Sequence, residues 1–182
     1  MLKIGIITAS VREGRLGNQV TDWVLDFANA RKDEGVTYEA VDLKDYRLPL
    51  LGVTPTEEEG ATIQKWSEKI ASFDGYVIVV PEYNRAIPGA FKNAWDYLQP
   101  QLHNKAIAFV GYGGLGATRS IDQLRLAAGE QHLASVRTTV NFLLAVDFEN
   151  FSTFKPGPFH ANNANPMLDQ LILWSNALKA IR

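Results

Sequence analysis

Three short stretches of this chain combine residue types that bind anions and flat heterocycles. The first is Ala9-Ser-Val-Arg-Glu-Gly-Arg-Leu-Gly-Asn-Gln19. It sets Ser10, Arg12 and Arg15 ahead of a helical pattern that opens around Gly17, Asn18 and Gln19. A helix N-terminus offers free N–H groups and the positive end of a dipole, and a guanidinium grips a phosphate through two parallel hydrogen bonds. Gly14 and Gly17 let backbone approach closely, and Ser10 and Asn18 add donors. The chemistry these residues suit is phosphate binding. It is not a Walker loop, since no Gly-Lys-Ser/Thr follows.

The second stretch is Pro81-Glu-Tyr-Asn-Arg-Ala-Ile-Pro-Gly89. Prolines at both ends make a shaped, semi-rigid loop. Pro81, Glu82, Tyr83 and Asn84 supply backbone groups, a carboxylate, an aromatic face and a carboxamide, the parts needed to hold a flat, polar-edged heterocycle. The third, Gly111-Tyr-Gly-Gly-Leu-Gly116, matches G-x-G-x-x-G. A dinucleotide fingerprint also needs an acid at the end of the next strand, and Val136-Arg-Thr-Thr-Val-Asn141 has none. These glycines therefore read as close backbone approach to a planar ligand, with Tyr112, Gly113 and Gly114 beside it. No triad or metal cluster is apparent, so no protein side chain is assigned a catalytic role. His103 and His132 read as ordinary loop and helix-end residues; His160, in a Phe-rich stretch, is the one to follow near the site.

Strands must position these loops. Apolar, β-branched runs fall at Lys3–Thr8, Val36–Val41, Tyr76–Val80, Ala106–Val110 and Val136–Leu144. The first, third and fourth are continuous, as strands buried on both faces require. Helical stripes alternate with them: Val20, Trp23, Val24 and Phe27; Ile63, Trp66, Ile70 and Phe73 behind a capping box at Thr56–Glu59; Phe91, Ala94, Trp95 and Leu98 after Pro88; Ile121, Leu124 and Ala128; and Met167 to Ile181, begun by Asn165-Pro166. Strict alternation predicts an α/β fold, a flavodoxin-like three-layer sandwich with a five-stranded parallel sheet in the order 2-1-3-4-5. Ligands then sit beyond the carboxyl ends of strands one, three and four, where all three stretches lie. Asp147–Asn165 reads as an ordered surface loop.

Composition narrows the function. At 182 residues the chain is expected to form one domain spanning 1–182. A net charge of −2 gives no reason to expect nucleic acid as a partner. No apolar run is long enough to span a bilayer, so no membrane role is expected. The N-terminus opens directly into a strand with no signal-peptide anatomy, which predicts a soluble cytoplasmic protein. The absence of Cys removes disulfides, Cys-ligated metals and thiol catalysis.

Taken together, Ser10-Val-Arg12, Pro81-Glu-Tyr-Asn84 through Pro88-Gly-Ala-Phe-Lys-Asn-Ala-Trp-Asp96, and Tyr112-Gly-Gly114 resemble the NAD(P)H-dependent FMN reductase family. That family is flavodoxin-like and includes quinone, chromate and azo-dye reductases. The likeness covers roughly residues 1–145. It departs at Ala86, where many members have Ser, and at Leu16-Gly17-Asn18, where a hydroxyl is missing and Arg15 is expected to compensate.

The resemblance implies non-covalent FMN, NADPH or NADH as donor, small-molecule electron acceptors and a homodimer or homotetramer. With no second nucleotide fingerprint, donor and acceptor are expected to alternate over one flavin face in a ping-pong cycle. Self-association is also suggested by aromatic residues on and around the third helix (Phe91, Trp95, Tyr97), with Trp66 and Trp174. An electron-carrier flavodoxin is the alternative, disfavoured by the near-neutral charge and by arginines in the phosphate loop. A phosphoacceptor receiver domain fails, because Thr8-Ala-Ser10 and Pro81-Glu-Tyr stand where its acids belong.

Overall fold

The computed structural model describes residues 1–182. Each apolar run becomes a strand: β1 (Leu2–Thr8), β2 (Val36–Asp42), β3 (Gly75–Pro81) and β4 (Lys105–Gly113). They pair in parallel in the order β2-β1-β3-β4, with β5 (Leu133–Ser135) beyond β4. The continuous runs are the central strands: β3 is buried along its whole length, whereas the edge strand β2 is half-exposed.

The fifth strand position departs from the single run expected over Val136–Leu144. β5 pairs with the start of β4 and β6 (Val140–Leu143) with its end. Between them the chain leaves the ladder, and side chains meet its backbone groups. Arg125 donates to the carbonyls of Val136 (2.7 Å) and Arg137 (2.9 Å), and Gln170 accepts from the Arg137 N–H at 2.9 Å. These side chains take the place of ladder partners for three backbone groups at the start of the break.

Helices α1 (Gly17–Arg31), α2 (Glu57–Ala71), α3 (Gly89–Asp96) and α4 (Thr118–Glu130) follow the predicted stripes. The capping box is formed in both directions between Thr56 and Glu59, at 2.8 and 3.2 Å. The sheet separates two apolar cores. Trp66, Phe91, Trp95 and Leu124 lie in one, under α2, α3 and α4. Val20, Val24, Met167 and Leu171 lie in the other, under α1 and the last helix. This is the flavodoxin-like three-layer sandwich. No helix is long and apolar enough to cross a membrane.

Residues Asp147–Asn165 are more structured than a loop. A short turn, α5 (Leu144–Asp147), leads into an antiparallel hairpin of β7 (Phe148–Glu149) and β8 (Thr153–Phe154). The last helix, α6 (Ala161–Lys179), starts before Asn165-Pro166 and carries Pro166 inside it. A single-turn 3-10 helix at Pro158–His160 runs directly into α6, so the proline falls after the helix start instead of marking it.

At the opposite end of the sheet, Lys105 is only 6% exposed. Its Nζ donates to the Ala71 carbonyl and the Tyr76 hydroxyl, both at 2.9 Å. Burial lowers its pKa to about 8. Between pH 8 and the unfolded value near 10.5 the unfolded chain therefore holds more protons, so stability rises with pH. Half-buried Tyr38 and buried Tyr76 and Tyr112 are shifted upward from 10, mainly by desolvation, and oppose the gain above that pH. Urea midpoints are expected to rise from pH 7.5 to 9.5 by an amount equivalent to about 2 kcal/mol. In Lys105→Met that rise is absent.

Candidate functional site

Side chains from the three loops line one cleft beyond the carboxyl ends of β1, β3 and β4. A cavity of about 170 Å³ is bounded by Arg12, Arg15 and Leu16, by Pro81, Glu82 and Tyr83, and by Tyr112, Gly113 and Gly114. Leu144 of α5 adds an apolar contact that sequence reasoning missed, since nothing marks it as a loop-facing residue. Beside it lies a polar basin of about 250 Å³ lined by Arg12, Gly14, Arg15, Asn18 and Lys44. Lys44 was also missed, because it belongs to the segment after β2, which carries no recognisable motif.

The basin sits at the N-terminus of α1. That terminus has no side-chain cap and no acidic residue in its first turn. Arg15 is paired with Asp42 at the end of β2, its side chain 12% exposed, and its Nε is buried without a partner. Arg12 is exposed, with its guanidinium 5.3 Å from the Tyr83 ring centre. Free helix N–H groups, an orphaned guanidinium N–H and two more cations make this the anion end of the cleft.

Ser10 and Gly17 build the cleft from behind. Ser10 is fully buried, and its Oγ shares a 2.7 Å hydrogen bond with the Tyr83 hydroxyl, tying the first loop to the second. A Cβ on Gly17 would lie 2.7 Å from the Tyr112 hydroxyl, so glycine lets that ring pack against α1. The Tyr112 hydroxyl is itself buried without a hydrogen-bond partner. Desolvation raises its pKa, which keeps the O–H protonated.

Gln19 does not face the cleft. Its carboxamide is spent on the β7–β8 hairpin, donating to the Ser152 carbonyl at 2.9 Å and accepting from the Phe154 N–H at 2.8 Å.

The G-x-G-x-x-G turn divides into two kinds of glycine. A Cβ on Gly111 would lie 2.1 Å from the Gly116 carbonyl oxygen, and one on Gly116 would lie 2.8 Å from the Asn141 Cβ. These two serve the folding of the loop onto itself, not a ligand as expected from sequence. Gly113 and Gly114 line the cleft: a Cβ on Gly114 would meet open space, and one on Gly113 only the Glu82 backbone nitrogen, at 4.0 Å. The N-terminus of α4, where a dinucleotide pyrophosphate would dock, is already taken. Glu82 accepts from the Arg119 N–H at 3.1 Å and pairs with the Arg119 guanidinium. The carboxylate of Glu82 thus caps α4, a role sequence could not show because its partner lies 37 residues on.

Asn84 and Arg85 form the tip of a two-residue hairpin, with reciprocal 3.0 Å hydrogen bonds between Tyr83 and Ala86. Both tip residues have positive φ, at 50° and 66°. That is the I′ geometry, which favours Asn then Gly and strains Arg by on the order of 1 kcal/mol. Helix α4 holds the hairpin: Ser120 Oγ donates to the Ala86 carbonyl (2.8 Å), and Gln123 donates to the Arg85 carbonyl (3.1 Å).

His160 lies outside the cleft, buried between Phe142 and Phe159, with Nε2 2.7 Å from an oxygen of Asp147. The other Asp147 oxygen accepts from the Leu143 N–H at 2.7 Å. The pair anchors the turn that carries Leu144.

A parallel sheet with a cationic, uncapped helix terminus and an aromatic-walled cleft at its switch point defines a flavodoxin-like nucleotide-binding protein. Sequence comparison is more specific. The family described as NADPH-dependent FMN reductase matches residues 2–146. An NAD(P)H-dependent FMN reductase of Nectria sp is 38% identical over 135 residues, covering 68% of this chain and 66% of that protein, just under two thirds of its length. A quinone reductase of Escherichia coli K12 is 33% identical over 137 residues, covering 74% of this chain and 69% of that one. Among solved structures, the flavoenzyme FerB, an NAD(P)H:(acceptor) oxidoreductase from Paracoccus denitrificans, superposes with a TM-score of 0.67 at 15% identity. That match covers 99% of this chain and 98% of that one, and it is a likeness of fold. The chain belongs to the NADPH-dependent FMN reductase family, a family of oxidoreductases.

The residues present fit FMN. The orphaned Arg15 Nε and the uncapped α1 terminus suit its phosphate, and the cleft walls of Tyr83, Tyr112, Gly113 and Leu144 suit a flat ring.

Proposed function

We propose that residues 1–182 act as one unit, an FMN-dependent NAD(P)H oxidoreductase that passes electrons to small-molecule acceptors such as quinones, free flavin, metal ions or azo compounds. The observation that carries this reading is the single cleft with an anion basin at one end and aromatic and glycine walls at the other. FMN, when bound, supplies the two-electron chemistry, taking a hydride from the nicotinamide and giving up two electrons to the acceptor.

The protein's own groups then have positioning roles. Arg15, Arg12, Asn18 and the α1 N–H groups hold the phosphate, with Ser10 fixing Tyr83 from below. Gly113 and Gly114 let the backbone reach the ring, and Pro81 and Asn84 shape the opposite wall. Glu82 and Gln19 act at one remove, holding α4 and the β7–β8 hairpin in place. We place the protein in the cytoplasm, since nothing in this chemistry needs an oxidising compartment.

With α4 capped by Glu82, one face is left for both substrates. Donor and acceptor should exchange there, and initial rates at several acceptor concentrations should give parallel double-reciprocal lines. Each substrate at high concentration should inhibit competitively against the other. Intersecting lines would mean a ternary complex and a second nucleotide site. A carrier protein without turnover would show no steady-state rate at all.

We also propose a homodimer or homotetramer, on different grounds from those first expected. Trp66, Phe91 and Trp95 are buried within the chain's own core and are unavailable to a partner. A run of exposed apolar side chains, Leu50, Leu51 and Val53, lies instead in the segment before α2. Light scattering should return a multiple of the 20.2 kDa chain mass; a value near 20 kDa at micromolar concentration ends this proposal.

A further inference from the structure

The first turn of α1 opens with Leu16, Gly17 and Asn18, none of which carries a hydroxyl. One arrives from another element. Tyr112, near the end of β4, lines the cleft beside Arg12, Arg15 and Leu16, and its hydroxyl lies 2.7 Å from where a Gly17 Cβ would stand. The oxygen occupies the space that a side chain at position 17 would otherwise fill.

The neighbouring hydroxyls are engaged. Thr8, whose methyl also packs on Gly17, shares a 2.6 Å hydrogen bond with Thr21. Ser10 Oγ shares its 2.7 Å bond with Tyr83 and accepts from the Arg12 N–H at 3.4 Å. Tyr112 is only 5% exposed, and its hydroxyl alone in this group has no partner. A buried O–H without an acceptor is costly. A phenylalanine at 112 would pack the same ring against α1 without that cost, so packing does not explain the oxygen. An acceptor that enters with a ligand does. The hydroxyl stands at the free N–H groups of α1, and Arg12 and Arg15 line both halves of the cleft around it, so the acceptor that suits the site is an anionic oxygen.

We infer that the Tyr112 hydroxyl donates to the phosphate of the bound cofactor, supplying the hydroxyl that Leu16-Gly17-Asn18 does not, and that position 17 is glycine to make way for it. This rests on the FMN reading above and divides Tyr112 into two tasks. Its ring walls the flat end of the cleft, and its oxygen serves the anion end.

The test compares FMN with riboflavin, each titrated by fluorescence quenching against flavin-free protein, so that no turnover is read. Tyr112→Phe removes one oxygen and keeps the ring. FMN should bind about tenfold more weakly, the size of one charge-assisted hydrogen bond, while riboflavin affinity holds. The urea midpoint of the flavin-free variant should not fall, because the lost hydroxyl had no partner there. Gly17→Ser alone drives its Cβ against the Tyr112 hydroxyl and should lower both stability and FMN affinity. In Gly17→Ser combined with Tyr112→Phe, that Cβ meets only the ring carbon at 3.3 Å and the Thr8 methyl at 3.2 Å. The serine hydroxyl should then restore part of the preference for FMN over riboflavin.

An unchanged ratio of FMN to riboflavin affinity in Tyr112→Phe overturns the assignment. So does an equal loss for both flavins with a lower urea midpoint, which would mark a hydroxyl that serves the fold. If the parent binds neither flavin, the cofactor reading has failed instead. Calorimetric titration with inorganic phosphate then judges the hydroxyl on its own: Tyr112→Phe should bind phosphate more weakly than the parent, and equal binding overturns the assignment.

Discussion

Replacing Gly111 by alanine should destabilise the protein by about 3 kcal/mol, at the upper end of overpacking substitutions. The new methyl would sit 2.1 Å from the Gly116 carbonyl oxygen, and that oxygen cannot simply move. It accepts a 2.7 Å hydrogen bond from the Asn141 carboxamide, which fixes the loop after β4 to β6. Gly111 lies within the ladder between Val80 and Asn141, so its own backbone is also fixed. The urea midpoint should drop, and FMN affinity should drop with it as Gly113 and Gly114 are displaced. Gly114→Ala, three residues on in the same loop, provides the contrast. Its Cβ meets nothing within 4 Å, so stability should change by less than about 0.5 kcal/mol. Because Gly114 lines the cleft, FMN affinity alone should fall. Equal destabilisation by the two substitutions would contradict the division of this loop into folding and ligand-facing glycines.

Arg15→Ala should weaken FMN binding by about 2 kcal/mol, roughly thirtyfold in Kd, because it removes a largely buried charge-assisted contact to the phosphate. Arg12→Ala should cost less, since Arg12 is exposed and its charge is screened by solvent. Fluorescence quenching on titration measures both. Riboflavin, which lacks the phosphate, should bind the parent far more weakly than FMN does and should lose little further in Arg15→Ala. A riboflavin loss as large as the FMN loss would mean that Arg15 acts through its pairing with Asp42 and the fold of the loop, and not through the phosphate.

The architecture was largely legible because burial on both faces writes itself as uninterrupted apolar runs, as in Tyr76–Val80 and Ala106–Val110. The broken edge strand was not, because its interruption depends on Arg125 and Gln170, side chains from two other helices. In the cleft, residues whose task is local were readable: Arg12, Tyr83 and Gly113 stand where their motifs put them. Residues engaged by a distant partner were not. Glu82 has the composition of a ligand contact but serves α4, and Gln19 serves a hairpin more than 130 residues on. Lys44 and Leu144 enter the cleft only because the sheet brings β2 and β6 to the same edge.

The most direct test of the account is the visible spectrum of protein loaded with FMN, desalted and then given NADPH or NADH without oxygen. About one flavin per chain should remain through desalting, its band in the blue region should bleach on adding the nucleotide, and a quinone should restore it. Flavin lost completely on desalting, or a retained band that neither nucleotide bleaches, would contradict it.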